Sequence, residues 1–99
     1  MLARVARWEG ADGETLDSTA AEIRKQADEA GGPPPGVPAK GLLLLHDKEN
    51  GRAIAISLFA NEDDYREGDE TLESMSPPSG GLGRRVAVDK YEVAVQLEA

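Results

Sequence analysis

The sequence predicts an α+β fold in which four strands and two helices follow in the order strand, helix, strand, strand, helix, strand. Three observations support this. Two apolar runs, residues 40–46 and 52–59, flank a turn that ends in Asn50-Gly51, a pair typical of tight hairpins. Two other segments repeat small or apolar residues at helical spacing. Near the end of the sequence, apolar residues recur at every second position, as they do along one face of a strand: Tyr91, Val93, Val95 and Leu97.

The first strand is predicted over residues 2–8 and the first helix over residues 14–30. Asp12 is placed to cap this helix, because its side chain can accept from an unpaired backbone N–H. Gly31-Gly32 ends it, since glycine adopts the left-handed conformation found at helix ends. One stripe of the helix is apolar or small: Leu16, Ala20, Ile23, Ala27 and Ala30. A stiff proline-rich connector, residues 33–38, leads into the second strand.

The second and third strands are apolar on both faces. Side chains alternate along a strand, so Leu42 and Leu44 point one way while Leu43 and Leu45 point the other. The third strand divides similarly, with isoleucine and leucine on one face and alanine and phenylalanine on the other. An antiparallel sheet with one wet face would show polar residues at alternate positions. Because two helices cover only one face, we expect a second copy of the chain to cover the other.

The second helix is predicted after Asn61, which caps it, with acidic residues in its first turn. The apolar side of this helix is thin and consists of four residues: Tyr65, Gly68, Leu72 and Met75. We therefore expect it to be the more mobile of the two helices. Residues 76–81 are predicted to form a surface loop. The last strand is predicted over residues 84–97, with a β-bulge near Asp89-Lys90 where the apolar phase changes. This order of elements is that of the ferredoxin-like fold.

Composition limits the function. The 99 residues form one predicted domain, residues 1–99, and their net charge of −8 argues against nucleic acid and anionic membranes as partners. The sequence has no cysteine and one histidine, which excludes thiol chemistry and metal sites with two histidines from one chain. No cofactor or metal is predicted. No membrane span or signal peptide is recognised in the sequence, so a cytoplasmic location is expected.

Four segments together resemble one known group of proteins. They are residues 3–10, 35–41, 58–63 and 88–93. In order and spacing they resemble the dimeric α+β barrel superfamily, most of all the small proteins related to antibiotic biosynthesis monooxygenases. The resemblance implies a homodimer in which two four-stranded sheets close into a barrel with the helices outside. It also implies a possible cavity between sheet and helices.

Characterised members of this superfamily use that cavity in two ways, of which one is disfavoured here. Some oxidise polycyclic phenols or quinols without a cofactor, and others bind and degrade haem through a histidine on the helix after the third strand. That helix contains Tyr65 and no histidine in this sequence. Phe59 and Val37 also replace residues that are usually tryptophan and aromatic, respectively. The haem function is therefore not expected.

The candidate ligand-pocket residues are Trp8, His46, Phe59 and Tyr65. Trp8 could stack on a flat ligand, His46 could act as a base, and the Tyr65 phenol could orient a ligand. Each residue also has a purely structural interpretation: Trp8 as a packing residue at the rim, His46 as a turn residue, Phe59 as a core residue and Tyr65 as the anchor of the second helix. No catalytic residue is assigned. The acidic residues of the second helix lack EF-hand spacing and are interpreted as a solvated face. Gly80-Gly81-Leu82-Gly83 lacks the residues of a phosphate-binding loop.

Three functions remain open from the sequence. The first is binding of a small apolar or aromatic molecule without known catalysis. The second is cofactor-independent oxygenation of an aromatic or quinol-type substrate, which would require a closed apolar cavity beside Trp8 or Tyr65. The third is a non-catalytic structural or regulatory dimer, which an exposed apolar patch beyond the dimer surface would favour.

Overall fold

The computed structural model describes residues 1–75 and 81–98 and has an α+β fold. The strands are β1 (Leu2–Gly10), β2 (Gly41–Asp47), β3 (Arg52–Phe59) and β4 (Gly83–Glu92). The helices are α1 (Gly13–Ala30), between β1 and β2, and α2 (Glu62–Glu73), between β3 and β4. Four antiparallel strands and two helices are thereby confirmed. No helix of the described ranges is long and apolar enough to cross a membrane.

The strands form one open sheet in the order β2-β3-β1-β4. The β2–β3 hairpin sets Leu43 opposite Ile56, and β1 sets Val5 opposite the same Ile56. Side chains from neighbouring strands therefore align in rows across the sheet. Because β1 and β3 are central, β2 and β4 form its two edges.

Local chemistry starts both helices and ends α1 as predicted, whereas α2 ends at Glu73, before the predicted end. The Asp12 carboxylate accepts from the Thr15 backbone N–H at 2.7 Å, and Asn61 caps α2 by accepting from Asp64 N–H at 2.8 Å. Gly31 adopts φ 74°, and its N–H reaches back toward the carbonyls of the last turn of α1. These contacts satisfy backbone groups that a helix leaves unpaired at its ends.

Both helices pack on the same face of the sheet and build two core clusters. The first cluster joins α1 to the sheet through Ala11, Leu16, Ala53 and Leu82, with Trp8 and Leu44 packed against it. The second joins α2 and the proline-rich connector to the sheet through Val37, Phe59 and Tyr65, with Leu2, Ala39 and Leu72 packed against it. All the strand residues of both clusters occupy alternate positions that share one face.

The glycine in α2 allows the helix to approach the sheet closely. A Cβ added at Gly68 would lie 2.5 Å from Cζ of Phe59, well inside van der Waals contact. Phe59 is fully buried in the second core cluster, so its ring can yield only by displacing the side chains packed around it. Close packing therefore explains a glycine at a position where alanine would favour the helix by about 1 kcal/mol.

The last strand differs from its prediction in two ways. The irregularity lies at Val86, because Arg7 pairs with Ala87 and Trp8 pairs with Arg85; the predicted bulge at Asp89-Lys90 is wrong. The strand ends at Glu92, whereas it was predicted to continue to residue 97. The Val93 N–H still donates to the Met1 carbonyl oxygen at 2.9 Å, but the described residues after Val93 have no neighbouring strand to pair with, and a strand needs one. Of the predicted loop at 76–81, residues 76–80 lie outside the described residues.

Candidate functional site

The sheet face opposite the helices is apolar and uncovered in the described structure. Seven large side chains occupy it: Val5, Leu43, Leu45, Ile54, Ile56, Leu58 and Tyr91. Leu43, Leu45 and Tyr91 are 54%, 48% and 56% exposed. We call these seven residues the open face. As predicted, the two helices cover one face of the sheet and leave the other without a covering layer in the described residues. Large exposed apolar patches of this kind mark interaction surfaces.

One ion pair crosses the open face beside its apolar residues. Arg7 on β1 donates to Asp89 on the neighbouring strand at 3.2 Å, and both side chains are about half exposed. Such an exposed pair contributes only about 0–1 kcal/mol to stability. The ion pair instead holds one positive and one negative group at fixed positions on a surface that is otherwise apolar.

The opposite face carries a charged network between the sheet and α2. Arg4 is only 5% exposed, and its guanidinium donates to Asp69 at 2.8 Å and to Glu73 at 3.1 Å. The second oxygen of Glu73 accepts from Arg85 of β4 at 2.9 Å. Two arginines on the sheet thus hold two carboxylates one turn apart on α2. This network lies between sheet and helix, where the family resemblance implies a possible cavity.

Two pKa values reflect these surroundings. The hydrogen bond from Arg85 lowers the pKa of the Glu73 carboxyl below its ordinary 4.5, and the charges of both arginines lower it further. Glu73 is therefore ionised at neutral pH. Burial raises the pKa of the Tyr65 phenol above its ordinary 10.0, and the carboxylate of Asp69 adds to this shift. The phenol remains a neutral hydrogen-bond donor at neutral pH.

Two of the four predicted pocket residues contact each other. Phe59 and Tyr65 meet edge to face with ring centroids 5.5 Å apart, in the second core cluster. Lys90 lies 4.9 Å above the Tyr65 ring and also pairs with Glu62. Both aromatic rings are buried, and they anchor α2 on the sheet.

The other two predicted residues lie elsewhere. Trp8 is partly buried and packs against the first core cluster, with Arg85 6.0 Å from its ring. Its indole Nε1–H is buried and finds no hydrogen-bond partner in the described part of the chain. His46 lies near the hairpin turn, 3.9 Å from Asp17 of α1. The structure thus joins Phe59 to Tyr65 but does not gather all four residues around one space.

An open depression lies at the far end of the sheet from Phe59. It is lined by Glu9, Gly10, Asn50, Arg52 and Arg84, none of which the sequence predicted as a site. Arg52 already pairs with Asp47 of the hairpin at 2.9 Å. The lining is polar and charged, unlike the apolar cavity expected for an aromatic ligand.

Sequence reasoning missed Arg4, although a signal for it exists. Arg4 shares its strand face with Leu2, Ala6 and Trp8, so period-two alternation places it inward. A charge in such a position needs partners of opposite sign. The carboxylates of α2 were interpreted as a solvated face, whereas Asp69 and Glu73 turn toward the sheet.

No protein-family model matches the chain, and no curated protein matches it. Within residues 1–75 and 81–98, no group of three or more histidine, aspartate or glutamate side chains is arranged to hold a metal ion. The fold and its surfaces define a small α+β protein with one covered and one open sheet face.

Proposed function

We propose that the chain functions as a homodimer of ferredoxin-like subunits that pack their open faces together, as in the dimeric α+β barrel superfamily. The observation that carries this proposal is the row of large apolar side chains over which the described part of the chain places no layer. Sheets bury such faces by packing about 10 Å apart on a second sheet. Burying the half-exposed side chains of Leu43, Leu45 and Tyr91 contributes about 25 cal/mol for each Å² of apolar surface removed from water.

A second copy fits this face better than an unrelated protein does. A two-fold interface sets one patch against itself, so it must be self-complementary. The open face meets that requirement, because it is apolar and holds both charges of the pair between Arg7 and Asp89. Across a two-fold axis, each group can face the opposite charge of the partner. Such a pair also sets the orientation in which the two apolar faces meet.

Light scattering coupled to size exclusion should therefore give the mass of a dimer. Leu43→Lys places a charge on the open face and is expected to give a folded monomer. Leu44→Lys places the same charge against the first core cluster, on the face that the helices cover, and is expected to unfold the chain. Gln26→Lys, on an exposed position of α1, is the matched control and should remain dimeric. A monomeric parent chain, or a dimer unaffected by Leu43→Lys, would contradict the proposal.

One observation favours a second function, the binding of a small aromatic molecule at Trp8. The buried indole N–H of Trp8 lacks a partner among the described residues. Leaving a buried donor unpaired costs about 1–3 kcal/mol. A phenol or quinone oxygen could accept this hydrogen bond while its ring packs on the first core cluster. The donor and the neighbouring apolar side chains are the features such a ligand would recognise.

The single tryptophan makes this second function directly testable. In a ¹H–¹⁵N spectrum it contributes one indole signal, which 2-naphthol is expected to shift in a saturable manner. The variant Trp8→Phe keeps an aromatic ring without the donor and is expected to bind the probe more weakly. An indole signal that stays in place at saturating 2-naphthol would rule out this site. Dioxygen uptake with 1,4-naphthohydroquinone, above that of Trp8→Phe, would instead indicate the oxygenase alternative.

A further inference from the structure

Charged side chains form a row across the far end of the sheet, beyond the apolar residues of the open face. The strand register sets Glu9 of β1 opposite Arg52 of β3 on one side and opposite Arg84 of β4 on the other. Because side chains alternate along β1, Glu9 points away from the face that holds Trp8. All three charged side chains line the open depression described above. The depression is therefore a separate place from the Trp8 site.

The carboxylate in this row does not neutralise the arginines beside it. In the part of the chain that the structure describes, Glu9 forms no ion pair with either arginine, and Arg84 forms none with any carboxylate. Arg52 donates to Asp47 at 2.9 Å through its Nε alone. A guanidinium carries five N–H donors, so both arginines keep terminal N–H groups for a ligand.

Two glycines fix the positions from which the arginine side chains extend. Gly51 precedes Arg52 and Gly83 precedes Arg84, and both glycines have positive φ, 65° and 86°. A Cβ at these glycines would lie 2.7 and 2.9 Å, respectively, from backbone atoms of Ala11, an approach that only glycine permits. Backbone packing therefore holds the start of each arginine against the end of β1, so the two walls of the depression are preorganised.

We propose that the depression binds inorganic phosphate, with Arg52 and Arg84 donating to its oxygens and Glu9 accepting from its P–OH group. The two arginines start about 10 Å apart, since two strand spacings separate them, and their long side chains can meet at one ion between them. A planar guanidinium matches two phosphate oxygens at once. This inference goes beyond the homodimer and the Trp8 site and rests on neither.

Glu9 selects the kind of oxyanion that fits. Inorganic phosphate keeps at least one proton at neutral pH and can donate it in a hydrogen bond to the carboxylate. Sulfate has no proton to donate, so its oxygens would meet the carboxylate as an unrelieved like charge. Two arginines alone would accept both ions. The carboxylate between them therefore favours the protonated ion.

Titrations followed in ¹H–¹⁵N spectra test this inference, with each salt added at about pH 7.5 and equal ionic strength. Sodium phosphate is expected to shift the backbone signals of Gly10, Asn50 and Gly51 in a saturable manner. Sodium sulfate is expected to bind at least about tenfold more weakly. Glycerol 3-phosphate is a monoester, whose second pKa is about 6, so it has mostly lost its proton at this pH and should also bind more weakly than phosphate.

Two variants separate the roles of the charged groups. Arg84→Gln is expected to weaken phosphate binding by at least about tenfold, whereas Arg24→Gln, on an exposed position of α1, is the matched control and should not. Glu9→Gln removes the selecting charge and is expected to bring the dissociation constant of sulfate within about twofold of that of phosphate. The same spectra establish that each variant remains folded.

Four results would overturn the inference. The first is the absence of a saturable shift with phosphate. The second is equal binding of phosphate and either sulfate or glycerol 3-phosphate by the parent chain, because the ligand proton would then play no part. The third is unchanged discrimination in Glu9→Gln. The fourth is equal weakening by Arg84→Gln and Arg24→Gln, which would show that binding follows the net charge of the chain and not the depression.

Discussion

Replacing both Asp69 and Glu73 by alanine is expected to lower the free energy of unfolding by about 3 kcal/mol. These carboxylates hold Arg4, which lies buried between the sheet and α2. Without them, a guanidinium that is always charged would remain out of water with no partner of opposite sign. This expected loss is at the low end of the range for breaking a buried ion pair, because both carboxylates are partly exposed.

A thermodynamic cycle separates this charge effect from lost packing. In a background carrying Arg4→Met, the same two alanine substitutions should cost little, because no buried charge is left behind. Glu67→Ala with Glu70→Ala removes two exposed carboxylates from the same helix and serves as the matched control. Urea unfolding followed by circular dichroism, at one protein concentration, gives the free energies of the cycle. Equal losses in the parent chain and in the Arg4→Met background would show that Arg4 does not depend on these partners.

Gly68→Ala is expected to destabilise the protein by about 1–3 kcal/mol, although alanine is the better helix former. The added methyl would overlap the ring of Phe59, which is fully buried among core side chains. Either α2 shifts away from the sheet or the ring leaves its favoured position. Both responses loosen the second core cluster, which includes Tyr65 and Val37.

The matched control for this substitution lies one residue away. Glu67→Ala adds helix propensity at an exposed position and should leave stability nearly unchanged or slightly raised. Thermal unfolding of the two variants beside the parent gives the comparison. A Gly68→Ala protein more stable than the parent would show that helix propensity outweighs the contact with Phe59. In that case the spacing of α2 from the sheet would not depend on this glycine.

Local signals in the sequence predicted most of the architecture. Asp12 and Asn61 mark helix starts because each side chain satisfies a backbone donor close by in the chain. Asn50-Gly51 marks the hairpin for a similar reason, as both residues tolerate the backbone of a tight turn. The alternation in β2 and β3 predicted two apolar faces because side-chain direction in a strand follows from position alone.

Features that depend on distant contacts were missed or misplaced. The irregularity in β4 lies at Val86 because pairing with β1 decides where an extra residue fits. The partners of Arg4 lie more than sixty residues away along the chain. The candidate pocket was predicted from the types of its residues and not from their positions in space. The structure places these residues in three separate surroundings: Phe59 and Tyr65 in the second core cluster, Trp8 against the first, and His46 beside the hairpin.

The sequence by itself determined the number and type of the elements, the starts of both helices, the end of α1, the hairpin and the apolar character of both sheet faces. Each of these depends on residues within a few positions of one another. Only the tertiary structure decided that Gly68 is a packing requirement, that Arg4 is a buried charge with two partners and that residues 93–98 lie outside the sheet. These depend on which distant groups meet, because burial and charge pairing are properties of assembled surfaces and not of the local chain.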